Sequence, residues 1–201
     1  MQKTAFQQIW HFIWHDDSIW SWIVNLILAF VIIKFLFYPG LGLLLGSAQP
    51  LVAVVSSSME HDGNFDAWWN SDAVCSNKKC TQEQFYSQYN ISKDEFSNFK
   101  FKNGFNKGDV MVLTSANEIN QGDTIVFIAN DGRPIIHRVI SLEPLETKGD
   151  HNVAQIISPA FTEKNVNEER VIGKASLRIP FIGYIKIFFT WLLSLFGVYI
   201  P

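Results

Sequence analysis

"GDVMVLTSANEINQGDTIVFIANDGRPIIHRVIS", residues 108–141, contains three short runs of β-branched and aromatic residues, 110–114, 124–129 and 135–141, separated by Gly, Asp and Asn. Short runs broken by turn residues predict strands of a sheet. The first two runs each open on Gly-Asp, at 108–109 and 122–123. Turn chemistry accounts for both pairs, because Gly tolerates positive φ and Asp bonds back to the backbone that follows. Runs at 52–56, 153–157 and 171–177 have the same character, so residues 48–178 are predicted to form a mainly β domain. Within it, about 60–107 is polar and aromatic, with "DAWWN" and "TQEQFYSQYNISKDEFSNFKF", and is expected to be a partly helical insertion on the sheet. Its "FDAWW" could dip toward a bilayer or cover the sheet, and covering the sheet is the expectation.

Both ends of the chain are apolar. Residues 19–45 read "IWSWIVNLILAFVIIKFLFYPGLGLLL", which exceeds the roughly 20 residues that cross a ~30 Å hydrocarbon layer. Residues 19–47 are therefore assigned as a membrane anchor. Asp17 or Ser18 caps its start, Trp20 and Trp22 suit the interface, and Tyr38-Pro39-Gly40 bends or ends the first helical stretch. A cleavable leader, with Gly46 and Ala48 as the small residues, fits less well, since a leader's apolar core is roughly 7–15 residues long. In residues 1–18, Phe6, Ile9, Trp10, Ile13 and Trp14 share one helical face, as in a helix lying on a membrane surface or binding a partner. Residues 179–201 are apolar around Lys186 and form either a second span or an interfacial hairpin.

With 201 residues and 48% hydrophobic content, the chain is an ordered protein of one domain plus extra elements. Its 16 basic residues are outnumbered by 19 acidic ones and form no sustained run, which argues against nucleic acid as a partner. No Lys or Arg falls between Ala48 and Asn77, whereas Glu60, Asp62 and Asp66 do, so this flank resembles an extracytoplasmic one; Lys174 and Arg178 pull the other way. Cys75 and Cys80 would close a small disulfide on an oxidising side and stay reduced elsewhere. Two cysteines without a matching His or Cys pair do not make a zinc site. Asn90-Ile91-Ser92 is a glycosylation sequon, usable only on that same side.

The chemistry centres on "VAVVSSSMEHDG", residues 52–63. An apolar run that ends in hydroxyls sets a serine at the rim of a groove, where a base could activate it. A serine-rich turn alone is usually structural. Of the five histidines, His137 lies in the apolar run "RPIIHRVI", where imidazole is either hydrogen-bonded core or a base. Asp150 in "TKGDHN" completes a Ser, His, Asp set suited to acyl transfer.

In order along the chain, "VVSSSME", "KGDVMVL" with "QGDTIVF", "IIHRVI", "TKGDHN" and "VIGKASLRIPFIGYI" resemble the boxes of type I signal peptidases, in the archaeal and endoplasmic-reticulum branch. The resemblance implies Ser58 as nucleophile, His137 as general base and Asp150 as acidic partner, with Ser56 and the Ser58 N–H forming the oxyanion hole. It implies a serine endopeptidase that removes signal peptides from translocated preproteins at the outer face of the cell membrane. Bilayer and secretion translocon are its expected partners, and no metal or organic cofactor is implied. This chain departs from the pattern twice. Ser57 stands where the family has glycine, and Gln155-Ile156 stands where many relatives have a second aspartate. Either Asp150 suffices, or Gln155 substitutes by hydrogen bonding. A Ser/Lys mechanism through Lys148 or Lys174, and a non-catalytic membrane subunit, are the competing readings.

Overall fold

The computed structural model describes residues 4–195 and Gly197. The chain divides into two compact units, Met1–Leu44 and Leu45–Pro201. In the first, helix α1 (Ala5–His15) starts from a capping box in which the Thr4 hydroxyl accepts from the Gln7 N–H and the Gln7 side chain accepts from the Thr4 N–H. Phe6, Trp10 and Trp14 form an exposed ring ladder along it, with centroids 6.3 and 5.7 Å apart. Ser18, not Asp17, caps the next helix. Two side chains of that helix hold α1 against it: Ser21 Oγ donates to the Phe12 carbonyl at 2.6 Å, and Asn25 Nδ2 to the Ile13 carbonyl at 2.9 Å.

The apolar helix runs through Tyr38-Pro39-Gly40, where a bend or end was expected, as α2 (Ile19–Ile32), a π-helical turn (Ile33–Phe37) and α3 (Tyr38–Leu45). The wide turn ends two residues before Pro39, whose missing N–H loosens the hydrogen-bond ladder one turn earlier. Ile19–Leu45 spans 27 residues with a mean hydropathy of 2.2, and among the described residues it alone is long and apolar enough to cross a membrane.

The second unit is built on an antiparallel sheet of order β1-β4-β8-β5-β6-β7. Its strands are β1 (Leu51–Ala53), β4 (Val110–Thr114), β5 (Thr124–Ile128), β6 (Pro134–Leu142), β7 (Leu145–Lys148) and β8 (Val171–Ile179). The fold is therefore mainly β, as expected. Both Gly-Asp pairs make turns with Gly108 and Gly122 at φ 90°, as anticipated, but Asp109 and Asp123 accept from the N–H groups of Asn106 and Asn120, three residues before them and not after. Two expectations fail. Residues 153–157 form no strand, only a bridge from Ile157 to Thr162, because Val153 and Ile157 are exposed and have no face to bury. β7 was not anticipated, since "LETK" has one apolar residue, yet Leu145, Thr147 and Lys148 are all buried.

The insertion comprises α4 (Phe65–Trp69), the hairpin β2 (Asp72–Cys75) and β3 (Lys78–Thr81), α5 (Gln82–Ser87) and α6 (Lys93–Ser97). A disulfide joins Cys75 to Cys80. Trp68 and Trp69 are buried with Tyr86, Phe96 and Ile140, so "FDAWW" covers the sheet. After β8, helix α7 (Gly183–Ser194) has 12 residues, roughly 18 Å of rise, short of a crossing by itself. The rest of the apolar C-terminal segment, residue 196 and residues 198–201, lies outside the described residues, as do residues 1–3 of the N-terminal one.

Candidate active site

The chain leaves the sheet after Ala53 and turns through Ser56–Met59, closed by the Glu60 N–H donating to the Ser57 carbonyl at 3.0 Å. Met59 explains why a methionine ends the serine run. Its side chain is fully buried, its carbonyl accepts from the Phe105 N–H at 3.0 Å, and its sulfur accepts from the Asp150 N–H at 3.4 Å. It pins the serine turn to the "TKGDHN" segment. A second tie runs from the His151 N–H to the Ser58 carbonyl at 2.9 Å. Ser56 Oγ and Ser58 Oγ lie 3.2 Å apart. Ser57 is not among the residues with positive φ, so serine fits where the family has glycine.

His137 comes from the middle of β6, 3% exposed and paired across the ladder with Ile125. A Cβ placed on Gly149 would lie 2.9 Å from His137 Nε2, 2.8 Å from the Ser58 carbonyl and 2.6 Å from Asn152 Nδ2. The serine turn and the imidazole thus border one small space, and they approach it because residue 149 has no side chain. Among the described residues, Asn152 Nδ2 has no hydrogen-bond partner, and it is buried there.

The expected contact between His137 and Asp150 is absent. His137 Nδ1 instead meets Glu163 Oε1 at 2.5 Å, with Glu163 fully buried. Strand geometry explains the change of partner. Neighbours on a strand point to opposite faces, so His137 and Arg138 face opposite sides of β6, and Asp150 is on the side of Arg138. Asp150 Oδ1 accepts from Arg138 Nε at 2.9 Å and from the Tyr86 hydroxyl at 3.1 Å. Asp150 Oδ2 accepts from Arg138 Nη2 at 2.6 Å and from His61 Nε2 at 3.0 Å. Burial opposes the charge on Asp150, but Arg138 and the hydrogen bonds from His61 and Arg138 outweigh it and hold the carboxyl well below the usual range. Burial also raises the Tyr86 hydroxyl well above its ordinary value, reinforced by the Asp150 charge.

Gln155 does not substitute as an acid at the imidazole. Its amide donates to Glu146 and to the carbonyls of Thr147 and Glu163, and its oxygen accepts from Tyr89. Both candidate lysine bases are committed elsewhere. Lys148 Nζ donates to Gln82 Oε1 and the Gly149 carbonyl, over the rings of Phe85 and Tyr86, and burial lowers its pKa to about 8. Lys174 Nζ donates to the Glu118 carbonyl and to Asp123.

Sequence reasoning missed Glu163 and Arg138. Nothing in "FTEKN" separates a buried carboxylate from a solvated one, so Glu163 had no signal. Arg138 had one: a guanidinium inside an apolar strand must find a carboxylate, because an unpaired buried charge is too costly.

An apolar helix of spanning length ahead of a mainly β unit fits the class to which the sequence boxes pointed, the type I signal peptidases. No family model matches the chain, and no solved structure matches it. It is 26% identical over 169 residues to the signal peptidase complex catalytic subunit SEC11 of Lachancea thermotolerans, covering 78% of this chain and 75% of that one. The subunit of the same name from Saccharomyces cerevisiae strain YJM789 is 25% identical over 168 residues, with the same coverage. These relatives bear out the resemblance of the chain to the type I signal peptidases of the endoplasmic-reticulum and archaeal branch.

Proposed function

We propose that this protein is a membrane-anchored serine endopeptidase that cleaves signal peptides from translocated preproteins. The observation that carries the reading is the convergence of the Ser58 turn and His137 Nε2 on the space beside Gly149. Its relatives' designation as catalytic subunits supports an enzyme over a non-catalytic membrane subunit.

In this mechanism Nε2 of His137 takes the proton from Ser58 Oγ as the oxygen attacks the scissile carbonyl. The Ser56 hydroxyl and the Ser58 N–H stabilise the oxyanion. His137 then protonates the leaving amine, and water, activated by the same imidazole, hydrolyses the acyl-enzyme. Small residues at the −1 and −3 positions of the substrate follow from the resemblance. The catalytic unit works outside the cytoplasm, a placement supported by the Cys75–Cys80 disulfide, which persists in oxidising compartments. Ile19–Leu45 anchors it in the cell membrane and α1 lies along the bilayer surface, with a secretion translocon as a further partner.

The test is cleavage of a preprotein in detergent by Ser58→Ala and His137→Ala. Each should lose activity by about 10⁴-fold or more; the Tm of Ser58→Ala should stay near that of the parent chain, whereas His137→Ala takes the partner from buried Glu163 and should lower it while leaving a folded protein. Undiminished cleavage by either folded variant removes that residue from its role.

A further inference from the structure

We propose that Glu163, not Asp150, is the acid that positions His137 for catalysis, an inference that rests on the Ser58–His137 reading above. Glu163 is held at both ends. Oε1 faces His137 Nδ1, and Oε2 accepts from the Ile156 N–H at 2.5 Å. Its main chain is held as well: the carbonyl accepts from the Thr147 N–H on β7 and the N–H donates to the Ile156 carbonyl, each at 2.9 Å. The carboxylate therefore has one orientation, set by the backbone of two neighbouring segments. An ionised carboxylate only accepts, so Nδ1 carries the proton and Nε2 keeps its lone pair. Nε2 is the nitrogen that borders the Ser58 turn across Gly149. Glu163 thus fixes both the tautomer that a general base needs and the direction in which it points.

This also resolves the departure at Gln155-Ile156. The chain lacks a second aspartate there, but Ile156 still serves the site through its main-chain N–H, which orients a glutamate supplied seven residues further on.

Glu163→Gln separates positioning from packing, because it keeps the shape. An amide has one accepting oxygen, and the immobile Ile156 N–H claims it. The NH₂ is left facing Nδ1, where it can only donate, and the imidazole proton is forced to Nε2. E163Q is expected to lower kcat by about 10⁴-fold with little change in KM, as when a triad loses the group that sets its tautomer. Histidine ¹⁵N NMR of the full chain in detergent should find the proton on Nδ1 of His137 in the parent protein and on Nε2 in E163Q, the resonance being assigned by its loss in H137A. A folded E163Q within about threefold of the parent kcat would overturn the proposal, as would an Nε2–H tautomer in the parent protein. If E163Q does not fold, the parent spectrum decides alone. The underlying reading fails separately, through S58A or H137A remaining active.

Discussion

On one face of β6, His137 meets a single carboxylate and keeps Nε2 free of hydrogen bonds to the described residues; on the other, Arg138 leaves nothing free. All five donors of the Arg138 guanidinium are used. Nε and one Nη2 hydrogen go to Asp150, the other Nη2 hydrogen to the Phe101 carbonyl, and Nη1 to the carbonyls of Lys100 and Gly122. The Phe96 ring lies 4.6 Å from its centre. Two adjacent residues thus sit in acid–base pairs of opposite design. The closed pair ties β6 to the end of the insertion and to the turn before β5, which is a structural task. The half-open pair is held from behind and presents one nitrogen, which is what a proton transfer needs.

The largest effect should come from opening the closed pair. Arg138→Met leaves Asp150 buried and charged without its main partner, and is expected to cost about 3–5 kcal/mol in denaturant unfolding. Arg138→Met with Asp150→Leu should recover part of that loss, because the stranded charge goes too. A single variant that costs no more than about 0.5 kcal/mol, the size of a surface change, would break the contrast. Acid should do reversibly what R138M does permanently. The Asp150 carboxyl is depressed in the fold, so its contribution is fully present above its unfolded value of about 3.9 and is lost as pH falls through the lower folded value. Stability measured against pH should therefore keep falling well below pH 4, and D150N should flatten that limb.

The half-open pair is tested by filling the space it faces. The Cβ of Gly149→Ala would meet a main-chain carbonyl and the imidazole at under 3 Å, and the carbonyl cannot swing aside. A displacement of this kind at a reacting pair is expected to lower kcat by about 10²-fold. The unfolding midpoint should move much less than in R138M; equal damage to both would mean that Gly149 is architecture.

Lys148 sharpens the comparison further, because it pairs with Arg138 across the β6–β7 ladder and brings a second buried cation to the closed side. Burial lowers its pKa to about 8, against roughly 10.4 in the unfolded chain. The unfolded state then binds more protons between these values, so stability should rise as pH goes from about 8 to 10. Lys148→Met should remove that rise. A slope that survives the substitution would assign it to another group.

The sheet was legible because its strands are apolar runs between Gly-Asp turns, and β4, β5, β6 and β8 lie where those runs fall. β7 was hidden by its composition, since Thr147 and Lys148 are buried through hydrogen bonds that no periodicity records. Ser58 and His137 could be singled out because a hydroxyl run and an imidazole are out of place beside apolar strands. Their acid could not, because the sequence holds 19 acidic residues and only the register of β6 against β7 brings Glu163 to Nδ1. Asp150 completed a Ser, His, Asp set in a segment that resembles a family box, but strand alternation in β6 turns its partner Arg138 to the face opposite His137.

Gln155 supplies the smallest and most discriminating comparison. It stands where a second aspartate was expected, yet it touches Glu163 only through the Glu163 carbonyl and makes its other bonds to Glu146, Thr147 and Tyr89. Burial and the nearby Glu146 push the Tyr89 hydroxyl up to about 12, so this cluster stays neutral at the phenol across the working pH range. Gln155→Ala removes the hydrogen bonds to Glu146, Thr147, Glu163 and Tyr89 at a half-buried position and is expected to cost about 1 kcal/mol of stability. Because the Ile156 N–H still orients the carboxylate, kcat should fall by no more than about threefold, against the large loss expected of E163Q. If Q155A instead matched E163Q in kcat with the His137 proton still on Nδ1, the acid's orientation would depend on the side chain of residue 155, and the backbone of residue 156 could not be what holds Glu163 in place.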